Sequence, residues 1–529
     1  MKDRREKRIS PAPQEEKQVR RDRLQACCDW IAGLSRKRRL FLSSSISFAY
    51  QITAFVCGFI LPRLILSYYG SEVNGLVTSI TNFLGFITLA ECGVGAVVLS
   101  AYYKPLAEHD DVEISKVFAS SEKFFHTIAL ILVVYTACLF FAYPLLVADS
   151  FDFLYTAILI LVMSISYFAQ YYIGMSYKLL LNADQLYFIQ YGTALLTLIV
   201  NTVVSVILIC SGCSIHAVKL FSSVIHLVQP LVFKFIVSRN YHVDRTIRLT
   251  EEPIKQKWNG MAQHIAFVVL GNTDTVLLTL FSTLSNVSIY NVYFLVVNGL
   301  RQLFFSVTNG FTPLFGSMIA KEEKREMDEV FGMVEWAMHT GSTLIFTMCG
   351  ILIVPFIMVY TKGVNDANYN VPLFAALLTL SQFIRCLQLP YNTLIHAAGH
   401  FKQTQTSSII EAALNIVVSI LLVFHFGLNG VALGTAIAVF YRALYLTWYL
   451  KRNIIRRKMS HFFGHLAVDV LTTVLVVLAA RAIPFQVENY LDWILAALVY
   501  GAICVAIMAV INLLIYRKEI QLCVRSLKK

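Results

Sequence analysis

The stretch that decides the fold is TIALILVVYTACLFFAYPLLV, from Thr127 to Val147, which carries no charged residue. It is longer than the roughly 18–20 residues that a helix needs to cross the hydrocarbon core of a bilayer. Because unpaired backbone groups are costly in lipid, an apolar segment of this length forms a helix there. Similar blocks recur through a chain of 529 residues that is 57% hydrophobic and 14% charged, whereas a soluble domain is about a quarter charged. The sequence therefore predicts an all-α polytopic membrane protein.

About fourteen segments have the length and hydropathy of a transmembrane helix. Their approximate limits are residues 40–66, 76–101, 124–147, 153–175, 186–210, 215–237, 260–281, 288–312, 333–359, 371–395, 404–425, 429–450, 463–483 and 490–516. Connections after even-numbered spans are basic, as in Ser238–Lys257 and Lys451–Lys458, and those after odd-numbered spans are poor in Lys and Arg. Because basic loops stay in the cytoplasm, this alternation predicts that both termini are cytoplasmic. The net charge of +12 follows from the same asymmetry and does not indicate a nucleic-acid partner.

The two halves of the chain repeat one another. Asn201 and Ser205 in span five recur as Asn415 and Ser419 in span eleven. A second match, at nearly the same offset, pairs Glu113, Val117, Phe118, Glu122 and His126 with Glu326, Val330, Phe331, Glu335 and His339. A repeat unit with an even number of spans enters the membrane from the same side each time, which predicts parallel repeats around an axis along the membrane normal.

The predicted organisation is two pseudo-symmetric six-helix bundles followed by two further helices. The parts are a basic cytoplasmic N-terminal tail (1–39), the N-terminal bundle (40–237), a cytoplasmic linker (238–259), the C-terminal bundle (260–450), two additional C-terminal helices (451–516) and a basic cytoplasmic tail (517–529). Residues 114–121 and 327–334 have apolar side chains at helical spacing among charges, which predicts a surface helix ahead of span three and another ahead of span nine.

An ordered set of motifs resembles the polysaccharide flippases of the multidrug/oligosaccharidyl-lipid/polysaccharide (MOP) exporter superfamily over about residues 40–455. The motifs are GSEVNGL (Gly70–Leu76), GNTDTVLL (Gly271–Leu278), GFTPLFGSMIAKE (Gly310–Glu322), YTKGVNDANY (Tyr360–Tyr369), PYNTLIHAAGHFKQTQ (Pro390–Gln405) and GLNGVALGTAIA (Gly427–Ala438). The resemblance implies a MATE-like fold and flipping of undecaprenyl-diphosphate-linked oligosaccharide across the bacterial cytoplasmic membrane by alternating access. It also implies membrane lipids and glycan-assembly proteins as partners.

Polar side chains at helical spacing predict inward-facing stripes in several spans, because a polar stripe facing lipid is costly. Arg301 lies roughly 15–20 Å below the outer boundary at about 1.5 Å per residue, and Arg385 has a similar depth. Guanidinium groups there are suited to a diphosphate. The candidate substrate-binding residues are Arg63, Asn298, Arg301, Gln302, Arg385, Gln388 and Asn392. Asp274 and Glu411 are candidates for cation or proton coupling, since intramembrane acids are rare and usually functional or paired.

These residues also have structural alternatives. Arg301 and Arg385 have the alternative of an ion pair with Asp274 or Glu411, and Arg63, nearer the outer end, that of snorkelling to the interface. Lys219 and Arg442 lie near helix ends and are predicted to snorkel. Asn201 and Asn415 have the alternative of holding helices together by hydrogen bonds.

Two other functions remain open at this point. A cation-coupled multidrug exporter of the same superfamily would favour an acidic cavity, whereas span one has no acid and the midplane charges are mainly basic. A membrane-embedded enzyme of glycan synthesis would need catalytic carboxylates or a phosphate-binding glycine loop, and no such set is apparent in the sequence. The sequence therefore predicts a transporter without enzymatic activity, resident cofactor or metal.

Overall fold

The computed structural model describes residues 36–91, 94–244, 247, 261–455, 457–517 and 519–521. Regular structure in these ranges is helical, and they contain no β-strand. The predicted tail 1–39 lies outside them except for its last residues, as do most of the predicted linker 238–259 and residues 522–529 of the C-terminal tail.

The described helices follow the predicted order. The N-terminal half contains α1 (Arg36–Gly85), α2 (Thr88–Glu91), α3 (Val94–Glu108), α4 (Asp111–Leu146), α5 (Phe153–Ala169), a π-helical turn (Gln170–Gly174), α6 (Met175–Ala183), α7 (Tyr187–Cys210), α8 (Ile215–His226) and α9 (Val228–Asn240). The C-terminal half contains α10 (Met261–Phe281), α11 (Leu284–Asn309), α12 (Thr312–Ala320), α13 (Lys324–Tyr360), α14 (Pro372–Ala397), α15 (Phe401–Phe426) and α16 (Leu428–Asn453). The C-terminal hairpin consists of α17 (Met459–Ala482) and α18 (Tyr490–Ile515).

Each predicted span coincides with helix, and eleven helices in the described ranges are long and apolar enough to cross a membrane. Spans one and two share the first of these, because α1 contains span one and the start of span two, with a kink at Gly70 in the predicted loop between them. Span seven coincides with α10, of which Val268–Phe281 is an apolar stretch, and span eight, in α11, is not among the eleven.

The predicted surface helices are instead the first turns of long transmembrane helices. Val117 and Phe118 belong to the unbroken helix α4, where they are buried. Met327 and Phe331 are likewise buried within α13. The prediction of separate surface helices was wrong because the apolar face packs against neighbouring helices of the bundle and not against lipid.

Each half has an apolar core of its own, and two further clusters of buried apolar side chains include residues of both halves. The halves meet along α1, which packs against α7 of its own half and α11 of the other. The C-terminal hairpin packs on α13. Large apolar side chains on the outer surface face away from these cores: Phe141, Leu498 and Leu514 are 64%, 66% and 66% exposed. A belt of this kind is expected where a helical bundle contacts lipid.

Candidate functional site

Arg301 and Arg385 lie on neighbouring helices α11 and α14 and are close enough to repel one another. The Nη2 atom of Arg301 donates a hydrogen bond of 2.7 Å to Oδ1 of Asn298, one turn earlier on the same helix. Its Nε atom is buried without a hydrogen-bond partner in the described part of the chain. The structure thus brings two like charges together and leaves one of them with unused donor capacity.

Glu411 of α15 is buried between two arginines. One carboxylate oxygen lies 3.8 Å from Nη1 of Arg385, and the other lies 3.8 Å from Nε of Arg442. Arg442 is only 4% exposed and donates to the carbonyl oxygen of Thr404 and to the hydroxyl of Ser407. The prediction that Arg442 snorkels was wrong, because its guanidinium has an acid and two oxygen acceptors inside the bundle.

Asp274 of α10 is held by hydrogen bonds from uncharged groups on three other helices. Thr435 donates to the carboxylate at 2.9 Å, Tyr290 donates at 2.9 Å and Asn415 donates at 3.3 Å. Asp274 is 6% exposed, and Arg385 contributes to its electrostatic environment. Asn415, for which packing was one reading of the sequence, thus contacts a buried acid.

These residues form one charged cluster between α10, α11, α14, α15 and α16. It contains three arginines, at positions 301, 385 and 442, and two acids, at positions 274 and 411. Arg385 interacts with both acids, Arg442 lies beside Glu411, and Arg301 lies beside Arg385. With both acids ionised, the cluster carries one excess positive charge. A buried charge is costly unless it is paired, so this cluster is suited to attract an anionic group.

The other predicted site residues occupy different surroundings. Gln388 is buried and donates to the carbonyl oxygen of Val439 at 2.6 Å, which joins α14 to α16. Gln302 is exposed, and Asn392 is half-buried. Arg63 lies near the predicted outer end of span one, where its Nη2 atom donates to the carbonyl oxygen of Lys362 at 2.7 Å. The structure therefore brings Asn298, Arg301 and Arg385 together with both acids, but not Arg63.

At the predicted outer end, an aspartate from one half caps a helix of the other. Gly70 interrupts α1 with a φ of +88°, a conformation that favours glycine. The helix restarts at Ser71, whose backbone N–H donates to Oδ2 of Asp366 at 2.6 Å and whose hydroxyl donates to Oδ1 at 2.7 Å. Asp366 lies in the loop between α13 and α14, so this N-cap is supplied across the interface between the halves.

Further hydrogen bonds extend this contact, which we call the outer seal and define as Ser71, Asn74, Ser288, Asp366 and Tyr369. The Tyr369 hydroxyl lies 2.7 Å from that of Ser71 and 3.0 Å from that of Ser288, and Asn74 donates to Ser288 at 2.8 Å. Ser71, Asn74, Ser288 and Tyr369 are all buried. The two halves are therefore joined by a hydrogen-bonded network at this end.

An apolar groove of about 570 Å³ lies between the C-terminal hairpin and helices α13 and α14, beside the surface where the hairpin packs on α13. Phe346, Phe383 and Val477 are among its lining residues. Leu380, Val470 and Val474, which also line it, are 47%, 56% and 48% exposed. The groove thus opens to the apolar surroundings of the bundle.

The outer seal was missed because its partners are far apart in sequence and its residue types are ordinary for loops. Gly70 in YYGSEVNG was the available signal, since a glycine before a serine is compatible with a helix break. Nothing in the sequence indicates that the capping residue is Asp366.

The arrangement defines a multi-pass helical membrane protein with two halves joined at one end, and solved structures share it. No protein-family model and no curated protein matches the chain. The lipid II flippase MurJ, in an inward closed conformation, aligns with a TM-score of 0.70 over 91% of this chain and 100% of that one, at 15% identity. A multidrug resistance MATE family transporter of the MOP superfamily, inward-facing, aligns with a TM-score of 0.57 over 77% of this chain and 99% of that one, at 13% identity. The chain therefore has the fold of these proteins, as the sequence predicts.

Proposed function

We propose that this protein is a transporter of the MOP superfamily that flips a lipid-linked oligosaccharide, joined to its polyprenyl lipid by a diphosphate, across the bacterial cytoplasmic membrane. The observation that carries the proposal is the cluster of three arginines and two acids, with its excess positive charge inside the bundle. A diphosphate accepts forked, charge-assisted hydrogen bonds from guanidinium groups. Arg301 has free donor capacity for such bonds.

The apolar groove beside the C-terminal hairpin supports a lipid carrier. A polyprenyl chain has to remain in an apolar environment while its headgroup passes through the bundle. The groove is open to the lipid side at Leu380 and Val470. It is also lined by α13 and α14, the second of which carries Arg385.

The outer seal supports alternating access. With the halves joined at the predicted outer end, the cluster is separated from the outside and the opposite end is the route of entry. The two solved structures named above are described as inward closed and inward-facing. We assign this structure to an inward-facing stage of the cycle.

The direct test is flipping by the purified protein in liposomes. A fluorescent polyprenyl-diphosphate disaccharide is placed in both leaflets, and a membrane-impermeant reductant is added outside. With the protein present, we expect the inner-leaflet fluorescence to be lost as well; with the Arg301→Ala/Arg385→Ala variant it should remain protected. No difference between protein-containing and empty liposomes would contradict the proposal.

The alternative function that the similarity to a MATE family transporter suggests is the export of organic cations. The excess positive charge of the cluster argues against a cationic substrate, since like charges repel. Uptake of a fluorescent lipophilic cation into the same liposomes separates the two functions. Cation transport without lipid flipping would favour the drug exporter.

Topology gives a first prediction. Asp149 is exposed in the connection between α4 and α5, and Glu322 is exposed between α12 and α13. In a cysteine-free background we expect an Asp149→Cys variant to react with an impermeant thiol reagent added to intact cells. A Glu322→Cys variant should react only after permeabilisation. The reverse pattern would invert the proposed orientation.

A second prediction concerns coupling at Asp274. Its carboxylate accepts a hydrogen bond from the Thr435 hydroxyl and one from the Asn415 amide nitrogen, and the side-chain oxygen of Asn415 is buried without a hydrogen-bond partner among the described residues. Carboxylate, hydroxyl and amide oxygens are ligands of hard metal cations. We expect Asp274→Asn to remove the dependence of transport on an imposed sodium gradient. Glu411→Gln is the comparison, because Glu411 is already balanced by two arginines. If both variants keep full, gradient-dependent transport, coupling does not involve these acids.

A further inference from the structure

A second group of buried ionisable residues lies where the C-terminal hairpin joins the C-terminal half, apart from the arginine cluster. It consists of Glu335 and His339 on α13, His465 and Asp469 on α17, and Arg457 between α16 and α17. We call these five residues the hairpin cluster. Glu335, His339, His465 and Asp469 are only 1%, 2%, 6% and 5% exposed.

One end of the hairpin cluster reaches solvent through Arg457. Its Nη2 atom lies 2.9 Å from Oε2 of Glu335, and its Nη1 atom lies 3.7 Å from Asp328, which is half exposed. Tyr391 of α14 donates to the other oxygen of Glu335. The Nε2 atom of His465 lies 3.8 Å from Oε2 of Glu335. Glu335 therefore connects the exposed edge of the cluster to its histidines.

The other end is a histidine–carboxylate pair. Nδ1 of His339 lies 2.5 Å from Oδ2 of Asp469, and Thr343 donates to Oδ1 of Asp469 at 2.8 Å. An ionised carboxylate only accepts hydrogen bonds, so Nδ1 of His339 carries the hydrogen. Its Nε2 atom is buried and has no hydrogen-bond partner among the described residues. In the neutral ring, the Nε2 atom has a lone pair that can accept a proton.

Charge balance favours the uptake of one proton. With neutral histidines, Glu335 and Asp469 carry two negative charges and Arg457 carries one positive charge, which leaves one uncompensated charge in a buried place. A proton on His339 neutralises it. The rings of His339 and His465 stack at 5.0 Å between centroids, so two imidazolium ions would repel each other.

The described ionisable groups that influence His465 and Tyr516 include no arginine or lysine besides Arg457. The hydroxyl of Tyr516, beyond α18, lies 2.7 Å from Nδ1 of His465 and is neutral near pH 7. Glu519 influences Tyr516 and adds negative charge. His461 lies one turn before His465 and, besides His339, is the other described histidine that influences His465.

We propose that the hairpin cluster is a proton-binding site, with His339 as the acceptor and Asp469 as its counter-charge, and that it makes transport proton-linked. The effect on transport rests on the proposed function, whereas proton binding by the cluster does not. Chains of acidic and histidine side chains inside a membrane commonly carry proton relays. The site is distinct from Asp274 and lies on a different set of helices.

The helix that carries His339 also reaches the outer seal. Helix α13 runs from Lys324 to Tyr360 and leads into the loop that carries Asp366 and Tyr369. A proton that changes how α13 packs against α17 therefore acts on the helix that leads directly into the outer-seal loop. This continuity connects protonation of the cluster with the opening of the halves.

Proton binding is measured by nitrogen NMR of the full-length protein labelled at histidine, titrated between about pH 5 and 9. We expect one histidine that titrates in the wild-type protein to be absent from the spectrum of His339→Gln and to shift its titration in Asp469→Asn. In liposomes, the wild-type flipping rate should change by up to about tenfold per pH unit over the range in which one proton binds. The His339→Gln variant should lose this dependence.

The matched control is Thr347→Val, which removes a hydrogen bond of 2.9 Å to Thr473 between the same two helices without touching an ionisable group. It should keep the wild-type pH profile, and its melting temperature reports the cost of a weakened hairpin contact. A folded His339→Gln variant with the wild-type pH profile would overturn the proposal, as would a control that loses it. If neither the wild-type protein nor any variant flips lipid, the proposed function fails. The NMR titration of His339 then still decides whether the cluster binds a proton.

Discussion

Transport of the lipid diphosphate should fall by about 10- to 100-fold when Arg301 is replaced by alanine, with no loss of melting temperature. A charge-assisted hydrogen bond contributes about 1.5–3 kcal/mol, and each 1.4 kcal/mol is about tenfold in affinity. The fold should lose little, because Arg301 makes one hydrogen bond, to Asn298, and is repelled by Arg385. Initial flipping rates and thermal unfolding of the same purified samples measure the two quantities.

The matched control is Arg442→Ala in the same cluster. Arg442 contacts Glu411 and donates to Thr404 and Ser407, so its removal leaves a buried acid and two acceptors short of a partner. Breaking a buried pair costs about 3–5 kcal/mol, and we expect protein yield to drop with this variant. Arg301→Lys separates charge from geometry, since a lysine cannot make the forked bonds of a guanidinium.

A structural role for these arginines predicts a different pattern. Arg301→Ala would then lower yield, and removal of an acid with it, Glu411→Gln or Asp274→Asn, would restore both yield and transport. The same comparison for Arg385 uses Glu411→Gln, its ion-pair partner. Such rescue would refute the assignment of the rescued arginine to substrate binding.

Gly75→Ala should hold the outer end open. A β-carbon at Gly75 would lie 1.9 Å from the carbonyl oxygen of Leu284 in the other half, so the halves cannot close as they do here. Overpacking costs about 1–3 kcal/mol, which shifts the balance of open and closed forms by about 5- to 150-fold. The reporter is Ser288→Cys, since Ser288 is fully buried in the outer seal. Its labelling from outside should become faster by a similar factor, and flipping should slow.

Gly271→Ala is the control, because a β-carbon there meets nothing within 4 Å. It should leave both labelling and flipping unchanged. Asp366→Asn should give a smaller effect in the same direction as Gly75→Ala, because an amide oxygen still accepts from Ser71 but the charge is lost. Unchanged labelling of Ser288→Cys in the Gly75→Ala background would show that the outer seal does not limit opening.

The all-helical fold and the order of its helices were accessible from sequence because hydropathy acts locally. Arg301 and Arg385 were placed together for the same reason: a charge at midplane depth has to face the inside of the bundle. Asp274 was identified as an intramembrane acid, but its partners Thr435, Tyr290 and Asn415 follow only from how four helices pack.

Other features depend on contacts between distant segments. Arg442 lies near the middle of α16 and not near a helix end, and the positions of Glu411 and Ser407 hold its guanidinium inside the bundle. The sequence shows Asp469 as an acid within span thirteen, and it shows Glu335 and His339 as members of the internal repeat. That these residues meet follows from the docking of the hairpin on α13, which the repeat does not predict because the hairpin lies outside it.

The same docking makes the two halves mechanically unequal. In the N-terminal half, the counterpart of His339 is His126, which contacts the carbonyl oxygen of Tyr172 within its own half. The C-terminal half is instead enlarged by two membrane-crossing helices fixed through buried charges. A larger body displaces more lipid and meets more viscous drag when it turns. We therefore expect the C-terminal half to stay nearly fixed in the membrane during transport, while the N-terminal half performs most of the rotation.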